Sequence, residues 1–167
     1  MFVAYTPDEV NELIAAGSKN KKAVVASQED KLFHSIKHVR LFDDIEMTDT
    51  LNIVSGIKIN RYKSGDVFEI GDDEKERIYY IISGSLIMPL GEDSHVELGK
   101  DQVFGEVSYF TKTPIRKSMH VSQDNTMIFS FKINKNGFTR DNAAAFAKFY
   151  EALFTYTANK LLWFEMA

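Results

Sequence analysis

Phe104-Gly105-Glu106-Val107, continuing to Thr113-Pro114-Ile115-Arg116, is the stretch on which the reading of this chain turns. A glycine and an acid stand where a predicted strand becomes a short helix, and an arginine returns ten residues after the acid on the next predicted strand. The first N–H groups of a helix are free to meet an anion. A guanidinium adds charge and a two-pronged donor set, and a carboxylate accepts from sugar hydroxyls. A phosphate and a ribose held in one small pocket describe a nucleotide. Two plainer readings compete. The helix dipole stabilises Glu106 without any ligand, and Arg116 can pair with Glu106 internally. Against the second, Arg116 is expected among apolar strands, where burying a charge without an anion is costly.

The chain around this stretch has strand rhythm. Ile57 and Ile59 alternate with polar residues, Lys63 to Asp66 is a turn, and Val67 to Ile70 is a strand ending at Gly71. Asp72 to Arg77 is a charged loop, and Ile78-Tyr79-Tyr80-Ile81-Ile82 a buried strand. Ser83-Gly84 turns into Ser85 to Leu90, and Gly91 to Ser94 into His95 to Leu98. Val103-Phe104, Arg116 to Val121 and Met127 to Phe131 complete the set. Short glycine-bounded strands at spacings of roughly 8–12 residues predict a small antiparallel barrel or sandwich.

The ends read as helix. Thr6-Pro7-Asp8-Glu9 is a capped start, with Val10, Leu13 and Ile14 as an apolar stripe and Gly17 as its stop. Ser27 to Asp30 opens a second helix that buries Leu32, Phe33 and Ile36. Thr48 caps a short third helix carrying Leu51 and Val54 and closing at Gly56. Thr139 or Asp141 caps a last helix running to about Met166. Phe146, Phe149, Tyr150, Leu153, Phe154, Tyr156, Leu161, Leu162, Trp163 and Phe164 cover more than one face of it. A surface helix needs one stripe, so the surplus predicts a further contact: a second copy of the chain, a ligand, or both.

Composition narrows the classes. The 167 residues suffice for one domain with extra helices; 44% are hydrophobic and 26% charged, ordinary for a globular protein. Net charge is −4 with no basic stripe, which argues against nucleic acid as a partner. The absence of cysteine excludes disulfides, thiolate metal sites and thiol catalysis. No signal peptide and no apolar run of the ~18 residues needed to span a bilayer are visible, so no membrane association and a cytoplasmic location are expected. His34 and His38 have the spacing of some metal pairs, but no third ligand accompanies them, so a solvated or packing role and no metal site are expected. His95 and His120 stand on separate strands, and no nucleophile–His–acid order is present, so no enzyme is expected.

Taken in order, these features resemble the cyclic nucleotide-binding domain family, found in catabolite-activator-type regulators, cyclic-nucleotide-dependent kinases and gated channels. Leu41-Phe42-Asp43-Asp44-Ile45 resembles the family's opening segment, Tyr62 to Val67 its first turn and Gly71-Asp72 the next. Ile78 to Gly84 resembles its aromatic-apolar strand and glycine turn, and Phe104 to Arg116 its phosphate-binding cassette. The resemblance implies an α+β fold: a jelly-roll-like, eight-stranded antiparallel β-barrel over residues 41–138, an N-terminal helical extension over 1–40, and a C-terminal helix over 139–167 serving as lid, dimerisation element or both.

It also implies residue roles. Glu106 accepts from the ribose 2′-hydroxyl, Gly105 with Phe104 and Val107 brings backbone N–H groups close to sugar and phosphate, and Arg116 pairs with the cyclic phosphate. Ser118 shares the Arg116 face by strand alternation. Lys117 departs from the small or hydroxylated residue usual there; it adds a second cation or points to solvent. Tyr156, Lys160 and Trp163 on the final helix are the candidates to cap the base. The ligand implied is cyclic AMP first and cyclic GMP second, with no cofactor and no catalysis. Partners implied are a second copy through the last helix and an unidentified protein. The chain ends at Ala167 without a helix-turn-helix, so no DNA reading is expected. Lys117 keeps an alternative open: the same fold without its ligand, acting as an interaction or oligomerisation module.

Overall fold

The computed structural model describes residues 3–4, 30–71, 74, 76–113 and 118–166. The expected first helix, Arg116 and Lys117 lie outside them. Among the described residues, nine strands form two antiparallel sheets. The five-stranded sheet has the order β1 (Val3–Ala4), β2 (Val54–Tyr62), β9 (Thr126–Ile133), β4 (Arg77–Ser83), β7 (Val103–Phe104). The four-stranded sheet has the order β3 (Val67–Glu69), β8 (Ser118–Val121), β5 (Leu86–Pro89), β6 (His95–Leu98). Eight of the nine are the expected barrel strands. The ninth, β1, pairs Val3 with Ile59 and Ala4 with Lys58.

Strand alternation sends neighbouring side chains to two cores. Between the sheets lie Phe68, Tyr79, Ile81, Leu86, Leu98, Phe104, Met119, Val121 and Ile128. On the other face of the five-stranded sheet, Ile78, Tyr80, Phe129 and Phe131 meet the helices. Both β4 and β9 are therefore covered on two sides, and that is why Ile78 to Ile82 reads as an unbroken apolar run. Each large side chain so buried is worth about 1.5–3 kcal/mol.

The helical layer consists of α1 (residues 30–36), a 3₁₀ turn at Arg40–Phe42, α2 (Met47–Ile53), and the long α4 (Ala143–Met166). A short α3 (Glu106–Thr111) follows β7. Phe149 of α4 stacks on Phe42 (centroids 5.7 Å apart) and meets Phe131 edge-on (6.0 Å). The apolar surplus of α4 is real: Phe154, Leu161 and Leu162 are 72%, 55% and 56% exposed. No helix among the described residues is long and apolar enough to cross a membrane.

Some boundaries differ from expectation. α2 starts at Met47 behind Glu46, not at Thr48, and stops at Ile53, because β2 already begins at Val54. Gly56 lies inside β2, where the register with β9 shifts between Ser55 and Lys58. Arg77 is not in a loop; it opens β4 and is 5% exposed. Its burial is sustained by partners: Nη1 donates to the Gly56 carbonyl (2.6 Å) and to Ser130 Oγ (3.3 Å), and Nε lies 3.6 Å from Glu74. α4 starts at Ala143, and its lead-in is closed by Thr139 and Asn142, each side chain accepting from the other's N–H.

Candidate functional site

The cassette begins where β7 ends. Gly105 takes φ +86°, and a Cβ there would stand 2.7 Å from the Arg77 carbonyl oxygen and 2.9 Å from the Tyr79 ring. Positive φ and close approach together demand glycine. The turn delivers Glu106 as the first residue of α3, with no solvent exposure at all. Lys160, from α4, makes an ion pair with Glu106 Oε1 and also donates to the Val103 carbonyl at 3.1 Å; its side chain is 15% exposed. Glu106 Oε2 is buried and has no hydrogen-bond partner. A buried carboxylate is tolerable only when paired, and here the pairing is half complete. α3 and α4 also meet through Tyr109 and Tyr150, hydroxyl oxygens 3.5 Å apart, and burial pushes the Tyr150 phenol up to about 12.

Beneath Gly105 lies an aromatic stack. Phe104 and Tyr79 are parallel with centroids 4.9 Å apart, and Phe68 stands edge-on to both at 5.5 and 5.3 Å. The Tyr79 hydroxyl donates to Glu74 Oε2 (2.9 Å), and burial holds its phenol far above the ordinary value. Glu74 Oε1 receives Lys58 at 2.6 Å. Burial alone would raise the Glu74 carboxyl, but the hydrogen bonds from Lys58 and Tyr79 take it below the ordinary value of 4.5. Burial lowers the Arg77 guanidinium from its usual value.

The structure thus brings Phe104, Gly105, Glu106 and Lys160 together. Val107 is 40% exposed on the outer side of α3. Ser118 is exposed and donates to Glu69 Oε1 at 3.1 Å. Tyr156 is half-buried, edge-on to Tyr80 at 6.4 Å in the helix-facing core. The Trp163 side chain, like Arg116 and Lys117, lies outside the described residues. Sequence reasoning missed Arg77, Tyr79, Glu74 and Lys58. Alternation along Arg77 to Ser83 puts Tyr79 on the face opposite Tyr80 without saying which face lies between the sheets, and no local pattern reveals that Glu74 turns back to meet Lys58.

A cavity of about 1060 Å³ opens elsewhere, between α1 and the ends of β2, β4 and β9, lined by Lys31, His34, Ile59, Arg61, Ile82 and Met127 among others. No cassette residue lines it. The space against the Glu106 carboxylate is instead taken by Lys160. His34 on α1 and His38 in the turn after it place their Nε2 atoms 3.1 Å apart at the surface, and no group of three metal-ligand side chains occurs among the described residues.

No protein-family model and no curated protein matches the sequence. Solved structures do match. The second cyclic-nucleotide domain of a kinase A regulatory subunit, bound to Sp-2Cl-cAMPS, is 16% identical with a TM-score of 0.51, covering 81% of this chain and 92% of that one. The sensor domain of the transcriptional regulator DNR from Pseudomonas aeruginosa is 17% identical with a TM-score of 0.51, covering 75% and 85%. The Thermus thermophilus catabolite activator protein is 18% identical with a TM-score of 0.50, covering 75% and 60%. This chain spans less than half of some longer matches, 44% of the regulatory domain of Toxoplasma gondii kinase A bound to cAMP. Two packed antiparallel sheets, a glycine-led cassette and a long final helix give this chain the fold of the cyclic nucleotide-binding domains of kinase A regulatory subunits and of catabolite-activator-type sensor domains.

Proposed function

We propose that the chain binds a cyclic purine nucleotide, cyclic AMP first and cyclic GMP second, performs no chemistry on it, and signals through α4. One observation carries this reading: the Glu106 carboxylate, presented by a left-handed Gly105 at the head of the cassette, keeps a buried oxygen without a donor. A buried acceptor left unmatched costs about 1–3 kcal/mol, and a ribose hydroxyl is the donor that would remove that cost. Arg116 supplies the cation for the cyclic phosphate, with Lys117 beside it. A cytoplasmic location belongs to the same proposal.

Signalling follows from population shift. A ligand moves α4 only if it binds the two arrangements of the helix with different affinity. Thermal unfolding with added nucleotide tests the proposal. At about 100 times Kd a ligand adds about 2.7 kcal/mol, which for a chain of this size raises Tm by roughly 5–10 °C. Arg116→Ala removes the rise. No shift with either nucleotide overturns the reading.

The exposed Phe154, Leu161 and Leu162 on α4 favour a second reading, a ligand-free module of the same fold that works by association. It predicts association that is indifferent to nucleotide, whereas the first reading predicts association that nucleotide changes.

A further inference from the structure

We propose that the Lys160–Glu106 ion pair is a latch that holds α4 over the cassette in the ligand-free protein, so that Lys160 lowers the affinity of the site instead of capping a base. This deepens the nucleotide reading above and rests on it.

Three observations carry the proposal. Lys160 occupies Oε1 and Glu106 has no exposure, so neither carboxylate oxygen is open to a ligand while the lysine is seated. The ammonium is anchored twice, on the carboxylate and on the Val103 carbonyl at 3.1 Å. Both contacts belong to the turn into the cassette, so release of α4 and access to Glu106 are one event.

The energetics give the latch its sign. A buried charge stays paired because an unpaired one is strongly unfavourable; the closed arrangement is therefore favoured as long as both partners are charged. A site competent only when open has an apparent Kd equal to the intrinsic value divided by the open fraction. Removing the ammonium leaves the closed form with an uncompensated carboxylate, raises the open fraction and tightens binding. A base-capping lysine predicts the reverse, since its loss deletes a ligand contact.

Two measurements test this on the full chain. Titration calorimetry with cyclic AMP compares wild type with Lys160→Met and the shape-conserving Lys160→Gln; about tenfold tighter binding is expected in both. Amine-reactive footprinting then follows Lys160 in the wild-type protein, which needs no variant to fold. Its labelling is slow without ligand, rises severalfold with bound nucleotide, and is already fast in Glu106→Gln. Equal or weaker binding by the Lys160 variants, or labelling that bound nucleotide leaves unchanged, overturns the latch alone. Absence of binding in wild type and variants overturns the nucleotide reading and the latch with it.

Discussion

At the residue scale, Gly105 and Glu74 yield separate expectations. Gly105→Ala puts a Cβ 2.7 Å from the Arg77 carbonyl at φ +86°, a strained backbone that costs about 1–3 kcal/mol. Chemical denaturation of the variant should show a loss of that size; an unchanged midpoint would mean that the turn relaxes freely. Glu74 has a carboxyl held below 4.5 by Lys58 and Tyr79. A group with a depressed folded value stabilises the protein above its unfolded value, and that stabilisation disappears as pH falls through the folded value. Melting temperature should therefore drop on acidification from about pH 5 to pH 3, and Glu74→Gln should make the drop shallower. Gly105 and Glu106 were legible in the sequence because the turn is local: a few consecutive residues set its backbone. The partner of Glu106 was not. Lys160 stood among candidates for base capping, and only the docking of α4 brings it to the carboxylate 54 residues away.

At the element scale, the strands were legible wherever alternation or a glycine turn marked them. His95–Leu98 and Val103–Phe104 lie where expected. The misplacements occurred where long-range pairing overrode local signals. Thr48 and Gly56 look like helix punctuation, yet β2 pairs with β9 from Val54 onward and ends the helix early. Arg77 looks like a loop residue, yet it pairs with Lys132 of β9 and so opens β4, and the Gly56 carbonyl and Ser130 Oγ accept from its guanidinium. The lead-in to α4 depends on Asn142, which receives the Thr139 N–H at 2.7 Å and donates to the Gly137 carbonyl at 2.8 Å. Asn142→Ala should cost about 1–2 kcal/mol, within the usual range for cap residues, seen as a fall of several degrees in Tm. Unaltered melting would show that packing of Phe146, Phe149 and Leu153 alone holds the helix start.

At the scale of the whole molecule, α4 presents an exposed apolar stripe among the described residues. Tyr150, Phe154 and Leu161 recur at helical spacing, with Phe110 of the neighbouring α3 52% exposed. Light scattering should find a dimer. Phe154→Asp should dissociate it without lowering the monomer's stability, because a side chain 72% exposed contributes little to the fold. A monomeric wild type would overturn association through this stripe. The sequence by itself determined the short glycine-bounded strands of an antiparallel barrel or sandwich, the buried run of β4, the glycine-led turn and the surplus apolar surface of the last helix, because each is written in periodicity or in adjacent residues. Tertiary structure alone decided which cation meets Glu106, that Arg77 is buried, and that the carboxylate is closed off. Those outcomes depend on residues tens of positions apart arriving at one point, and the free energy of a buried charge is set by what surrounds it in space.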